Sequence, residues 1–288
     1  MNRIYLLCVF QALCLSMSAQ VTATSASVPA GYTLVWADEF DKDGQVDETK
    51  WGYEQGFMRN HELQWYQKEN AKVENGLLVI EARADNRPNP NYREGSREWK
   101  RNRPTITCTS ASINTHYKYS FLYGRMEVRA RIPVGYGSWP AIWLLGTELP
   151  WPSNGEIDVM EFYRSKGGPG ILANAAWGTE RQYVAKWNSK KIPFSHFTDK
   201  DPFWPTRFHI WRMDWDEAYI RIYLDDELLN EIDLSQTVNT SADGVNPFHR
   251  PQYILLNLAM GGDNGGDVFL EDLPLRYEVD YVRVYQKK

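Results

Sequence analysis

Arg125–Ile132 reads RMEVRARI. Met126, Val128, Ala130 and Ile132 alternate with Arg125, Glu127, Arg129 and Arg131, a period of two held without a break. Successive side chains of a strand point to opposite faces, so this stretch is a half-buried antiparallel strand, apolar inside and charged outside. The period recurs in both directions along the chain. Gly76–Arg83 (GLLVIEAR) is a second strand, Tyr219–Leu234 (YIRIYLDDELLNEIDL) a hairpin turning near Asp225–Asp226, and Tyr277–Tyr285 (YEVDYVRVY) a strand of alternating aromatic and apolar residues. No segment carries a sustained helical period, and Glu48–Gly52 and Leu234–Ala242 suit only short turns. Many short strands with loops between them predict an all-β sandwich of two sheets.

Composition agrees. The 288 residues include 32 Lys+Arg against 37 Asp+Glu, a formal net charge of −5, and are 43% hydrophobic. That balance excludes disordered and fibrous chains and argues against nucleic acid or an anionic membrane as the main partner. No repeat and no Gly/Ser- or Pro-rich linker divides the chain, so residues 28–288 are expected to form one domain. Twelve Trp, 17 Tyr and 11 Phe make the chain 14% aromatic, which suggests stacking surfaces as well as core.

Arg3, the apolar run Ile4–Leu15 broken only by Gln11, and the small residues Ser16, Ser18, Ala19 and Ala23 form a secretory signal pattern. The signal is assigned to residues 1–19, with the cut between Ser18 and Ala23. This implies a secreted, periplasmic or cell-surface protein. The run is too short to span a bilayer, and no later stretch reaches the roughly 18 apolar residues a span needs. Cys8 and Cys14 each follow a leucine, which argues against a lipid anchor. Cleavage leaves Cys108 as the single thiol, so no internal disulfide forms. Within TITCTSASINT, Cys108 reads as a small buried strand residue.

Two segments break the strand pattern. Ala84–Pro104 is polar, Pro-interrupted and carries six cations, which predicts a long solvated loop, with a basic rim facing an anionic ligand as the sharper alternative. Tyr183–Pro205 is loop-like but rich in Trp and Phe, which suits a cleft wall.

The chemistry is carried by Trp151–Tyr163, WPSNGEIDVMEFY. Glu156 and Asp158 share one face of a strand, whereas Glu161 would point the other way. A one-residue bulge around Val159–Met160 returns Glu161 to their face and leaves Ile157 and Phe162 to the core. A solvated acidic strand would not be embedded in Ile, Val, Met and Phe. Glu156 and Glu161 would then stand about 5–5.5 Å apart, the spacing for double displacement at a glycosidic bond. Asp158 between them would hydrogen-bond the nucleophile, since three adjoining carboxylates cannot all ionise cheaply.

The acid run resembles the E-x-D-x-x-E signature of glycoside hydrolase family 16. Further blocks resemble the family in its order: WADEF (36–40), NHELQWY (60–66), YGRME (123–127), GSWPAIWL (137–144), FHIWRMDW (208–215), PQYILLNLAMGG (251–262) and VDYVRVY (279–285). The resemblance implies a β-jelly roll of two bent antiparallel sheets with a concave substrate cleft. It implies Glu156 as nucleophile, Asp158 as assisting acid and Glu161 as general acid/base. It places Trp139, Trp143 and Trp151 at the sugar-stacking cleft, and Trp177, next to Ala176 on the following strand, is expected there as a further substrate-binding residue. Arg59, Asn60 and Glu62 match the loop on the glycone side. No cofactor is implied for catalysis, but Glu39, Gly76 through its carbonyl and Asp280 match a structural calcium site, an oxygen-rich set suited to that ion.

WPSNGEIDVMEF, PQYILLNLAMGG and VDYVRVY are most similar to the laminarinase and mixed-linkage glucanase branch, which implies a retaining endo-hydrolase of β-1,3- or β-1,3/1,4-glucan. A monomer is expected. Two departures bear on linkage. Ala176 stands where laminarinases often place a His, and Asp263–Asp267 (DNGGD) replaces the usual Trp-containing loop. The basic loop keeps an agarase- or porphyranase-type galactan hydrolase as the alternative. A noncatalytic glycan-binding jelly roll fits the aromatic content but gains nothing from three crowded carboxylates. The five His show no metal-ligand spacing.

Overall fold

The computed structural model describes residues 28–165, 167–240 and 244–288. The signal assigned to residues 1–19 lies outside them. Among the described residues the strands form two sheets, of ten and seven strands, laid over one core. Within the larger sheet, Glu227–Asp233, Tyr219–Leu224, His209–Trp215, Gly124–Arg131, Leu275–Lys287 and Leu77–Pro88 lie side by side. The smaller runs Ala185–Pro193, Gly168–Gly178, Glu156–Ser165, Ser138–Gly146, Gln252–Met260, Ser112–Asn114 and Gly52–Tyr53. Pairings are antiparallel except that of Gln64–Tyr66 with Thr105–Ser110.

The RMEVRARI strand behaves as its period predicts. Met126, Val128 and Ala130 are fully buried, while its charged residues form cross-strand pairs on the opposite face. Arg125 donates to both oxygens of Asp214 at 2.6 and 2.9 Å, and Arg129 reaches Asp280 at 2.6 Å. Such half-exposed pairs add little stability each; they mainly keep the outer face soluble and in register. The hairpin at Asp225–Asp226 is tight because both residues take positive φ, 45° and 69°, the left-handed pair that matches strand twist.

Both segments expected to be loops are partly strand. Leu77–Pro88 runs on through Arg83–Pro88 before the chain turns, and the buried Asn89 then ties the remainder down by donating to the carbonyls of Lys100 and Arg103. Ala185–Pro193 is the edge strand of the smaller sheet, followed by the short helix Ser195–Thr198. Its sequence, AKWNSKKIP, is too polar to show a period of two. The strand is imposed by pairing with Gly168–Gly178, and its lysines suit an edge that must not pair further.

Candidate active site

The floor of the site is the face of the smaller sheet turned away from the core, and one irregularity in Glu156–Ser165 creates it. Asp158 lies opposite Asn174 and Glu161 opposite Leu172, so three steps on one strand match two on its neighbour. On the other side Asp158 faces Trp143 and Met160 faces Ile142. The bulge therefore sits at Val159–Met160, and both side chains are fully buried in the core. Ile157 and Phe162 join them, while Glu156, Asp158 and Glu161 emerge together on the open face.

Antiparallel register extends each acid into a row across the sheet. Leu145, Glu156, Ala176 and Trp187 form one row, and Trp143, Asp158, Asn174 and Ser189 the next. Ala141, Glu161 and Leu172 form a third. These rows line a cleft of about 540 Å³, within the size range of small-molecule sites. Arg59, Asn60 and Glu62 close one end. Their loop is locked to Asp263, whose carboxylate meets His61 Nδ1 at 2.9 Å and whose N–H donates to the Asn60 carbonyl at 2.9 Å. Gly262 permits this approach: its φ is +67°, and a Cβ there would stand 2.5 Å from the Asn60 carbonyl.

Each acid has its own partners. Trp151 Nε1 donates to Glu156 Oε2 at 2.5 Å, and Trp139 Nε1 donates to Glu161 Oε1 at 2.8 Å. Asn174 Nδ2 donates to Asp158 Oδ2 at 3.1 Å and to Glu161 Oε2 at 3.2 Å. Asp158 is 1% exposed, whereas Glu156 and Glu161 keep some surface open to the cleft. Burial, then repulsion from Glu161 and Glu156, holds Asp158 well above the usual carboxylate range. Burial raises Glu161 to about 7, opposed by the Trp139 and Asn174 hydrogen bonds and reinforced by the Glu156 charge. Burial also raises Glu156, but the bonds from Trp151 and Asp158 and the Arg59 cation oppose it. Asp158 is thus the proton holder of the three, Glu161 retains its proton near neutrality, and Glu156 has the strongest support for its anion.

A second polar chain lies under the Arg59 end. Arg59 stacks over Trp143 at 5.1 Å and pairs with Glu54. Trp143 Nε1 donates to Asn257 Oδ1 at 2.7 Å, and Asn257 Nδ2 donates to the Tyr66 hydroxyl at 2.9 Å. Glu62, 2% exposed, accepts from Gln64 Nε2 at 2.7 Å and is raised to about 7 by burial.

Of the residues expected in the cleft, Asn60, Glu62, Trp139, Trp143 and Trp151 line it together with the three acids. Trp177 does not. Alternation in Gly168–Gly178 puts Ala176 on the cleft face and turns Trp177 into the core, where it is 3% exposed. Trp187 and Ser189 line the cleft from the Tyr183–Pro205 segment expected to wall it, and Asn174 and Asn257 line it too. Strand register brings the two asparagines there, and no local motif announces them.

Asp280 belongs to the other sheet, and Glu39 directly follows its strand Tyr32–Asp38. Both oxygens of Glu39 accept from Arg283, at 2.7 and 2.6 Å, so that carboxylate is committed to a guanidinium rather than free for calcium. Asp280 Oδ2 accepts from Arg129 at 2.6 Å, which leaves Asp280 Oδ1 and the Gly76 carbonyl of the expected set outside these two ion pairs.

The family model described as Glycosyl hydrolases family 16 matches residues 57–283. The chain belongs to that family. It is similar to a β-glucanase of Rhodothermus marinus, 35% identical over 274 residues that cover 88% of this chain and 85% of the relative. A glucan endo-1,3-β-glucosidase A1 of Niallia circulans is 33% identical, covering 90% of this chain and 38% of that longer protein. Among solved structures, the laminarinase from Rhodothermus marinus superposes with a TM-score of 0.71 at 34% identity, over 89% of this chain and 98% of that one. A structure from work on endo-acting O-glycanases with which human gut bacteria initiate mucin breakdown superposes with a TM-score of 0.80 at 33% identity, over 91% and 93% of the two chains. The jelly-roll fold and glycoside hydrolase activity follow from this membership.

Proposed function

We propose that this chain is an endo-acting, retaining β-glucanase that hydrolyses β-1,3- or mixed-linkage β-1,3/1,4-glucan by double displacement. The observation that carries it is the row arrangement of Glu156, Asp158 and Glu161 on one cleft face, with their proton affinities driven apart. Glu156 attacks the anomeric carbon, and Glu161 gives its proton to the departing glycosidic oxygen. A water then enters, Glu161 takes a proton from it, and hydroxide displaces Glu156 with net retention. Asp158 holds its proton against Glu156 before attack. Trp139 and Trp151 aim the two glutamates, and the exposed Trp151 also offers ring surface to sugar. The glucan assignment is supported by the names of the Rhodothermus and Niallia relatives.

The same proposal includes a single catalytic domain over residues 28–288, secretion by way of the residue 1–19 signal, a monomer, and a structural calcium ion on Asp280 Oδ1 and the Gly76 carbonyl. Among the described residues no helix is long and apolar enough to cross a membrane.

A second substrate reading is favoured by one contrast. At about equal identity, the O-glycanase structure superposes at 0.80 while the laminarinases lie near 0.7. Ala176 beside Glu156 also departs from the laminarinase pattern. Galactan or mucin-type O-glycan is therefore the alternative polymer. Reducing-sugar release with product sizing on laminarin, barley glucan, agarose, porphyran and mucin O-glycans separates them. Cleavage of the glucans is expected, and cleavage only of a galactose-containing polymer would overturn the glucan assignment.

A further inference from the structure

We propose that Trp187 forms a sugar-stacking subsite on the leaving-group side of the cleft. The inference rests on Glu156 and Glu161 as the reacting pair and on the Arg59–Glu62 loop as the glycone side. It extends that reading to a residue and a position not yet accounted for.

Trp187 stands in the same row as Glu156, across Ala176. With neighbouring strands about 4.8 Å apart, two strands place it roughly 10 Å from Glu156, about two pyranose lengths along the cleft. The residues between are small: Ala176 in its own row and Asn174 and Ser189 in the next. They leave a trough between the acids and the indole. On the other side of the acid strand the space is filled by Trp143, with Arg59 stacked over it. The cleft thus has an arm on each side of the acids, and Trp187 ends the arm opposite Arg59 and Glu62.

The ring is also unspent. Trp187 is 45% exposed, whereas Trp139 and Trp143 are 5% and 8% exposed and have their indole N–H groups committed. Among the described residues the Trp187 ring has no hydrogen-bond, aromatic or cation partner. A large apolar ring left open on an edge strand, lining the acid-bearing cleft, is placed for a ligand with an apolar face. The carbon-bearing face of a pyranose two units beyond the cleavage point has that chemistry.

The test compares kcat/KM for the polymer of the panel that the wild type cleaves fastest with that for an aryl β-glycoside of the same sugar, whose leaving group does not reach Trp187. Trp187→Ala is expected to lower the polymer-to-aryl ratio about tenfold, and Trp187→Phe to bring it back within about threefold, on the scale of aromatic contacts. Equal losses on both substrates would put Trp187 on the glycone side and overturn the proposal, as would an unchanged ratio. A wild type that cleaves no polymer in the panel would defeat the functional reading itself. Calorimetric binding of a hexasaccharide of that same polymer to Glu156→Gln and Glu156→Gln/Trp187→Ala then reads the subsite without turnover, and equal affinity in the two would overturn it.

Discussion

Asn174 lies directly opposite Asp158 on the neighbouring strand, and its one amide nitrogen donates to both Asp158 and Glu161, at 3.1 and 3.2 Å. A neutral donor placed between two crowded carboxyls favours their charged forms, so it lowers the proton affinity of each. Removing it in Asn174→Ala is expected to raise the Glu161 pKa further above its present value of about 7. Because Glu161 must be protonated to act as acid, the alkaline limb of the kcat/KM profile should move to higher pH while kcat falls about tenfold. A limb that stays in place, measured on polymer between pH 5 and 9, would refute this positioning role.

Glu156→Gln keeps the shape and the contact with Trp151 but removes the proposed nucleophile. Hydrolysis should fall by more than about a thousandfold with oligosaccharide binding retained. NMR of wild-type products should show the β-anomer first. An initial α-product would exclude retention, and residual turnover by the purified variant would exclude Glu156.

Glu161→Ala removes a proton donor, which matters most where the leaving group is poor. The loss on polymer should exceed that on an activated aryl glycoside by about a hundredfold or more. Equal losses would contradict an acid role for Glu161.

The raised acids also make a stability prediction. Glu161 binds its proton more tightly folded than unfolded, so its contribution is full below about pH 4.5 and is lost as pH rises through about 7. At pH 8 its ionised form costs about 3 kcal/mol, which Glu161→Gln relieves. Tm should therefore rise by roughly 5 °C at pH 8 and by much less at pH 4. A gain independent of pH would mean that burial of charge is not the cause.

Calcium at Asp280 and the Gly76 carbonyl predicts that EDTA lowers Tm, that added calcium restores it, and that Asp280→Asn abolishes the response. An unchanged Tm after chelation would show that Arg129 and Arg283 alone hold this face.

Much of the site was legible locally. The E-x-D-x-x-E run names its acids, and its apolar filling demands a bulge, since a regular strand would drive Glu161 into the core. Trp139, Trp143 and Trp151 fall in motif blocks and do line the cleft. Trp177 lies in the core rather than the cleft for a reason internal to strands: adjacent residues face opposite ways, so proximity to Ala176 in sequence argues against a shared surface. Ala185–Pro193 looks like loop in sequence because an edge strand stabilised by its neighbour needs no apolar alternation of its own.

The sequence alone determined what each strand must bury, because a period of two leaves only one way to hide Met126, Val128 and Ala130 or Ile157 and Phe162. It also determined which residues are able to do chemistry. Tertiary structure decided who stands beside them. Asn174 between two acids and Trp187 two strands from the nucleophile follow from register between segments distant in the chain, and register is set by the packing of the whole sheet rather than by any local signal.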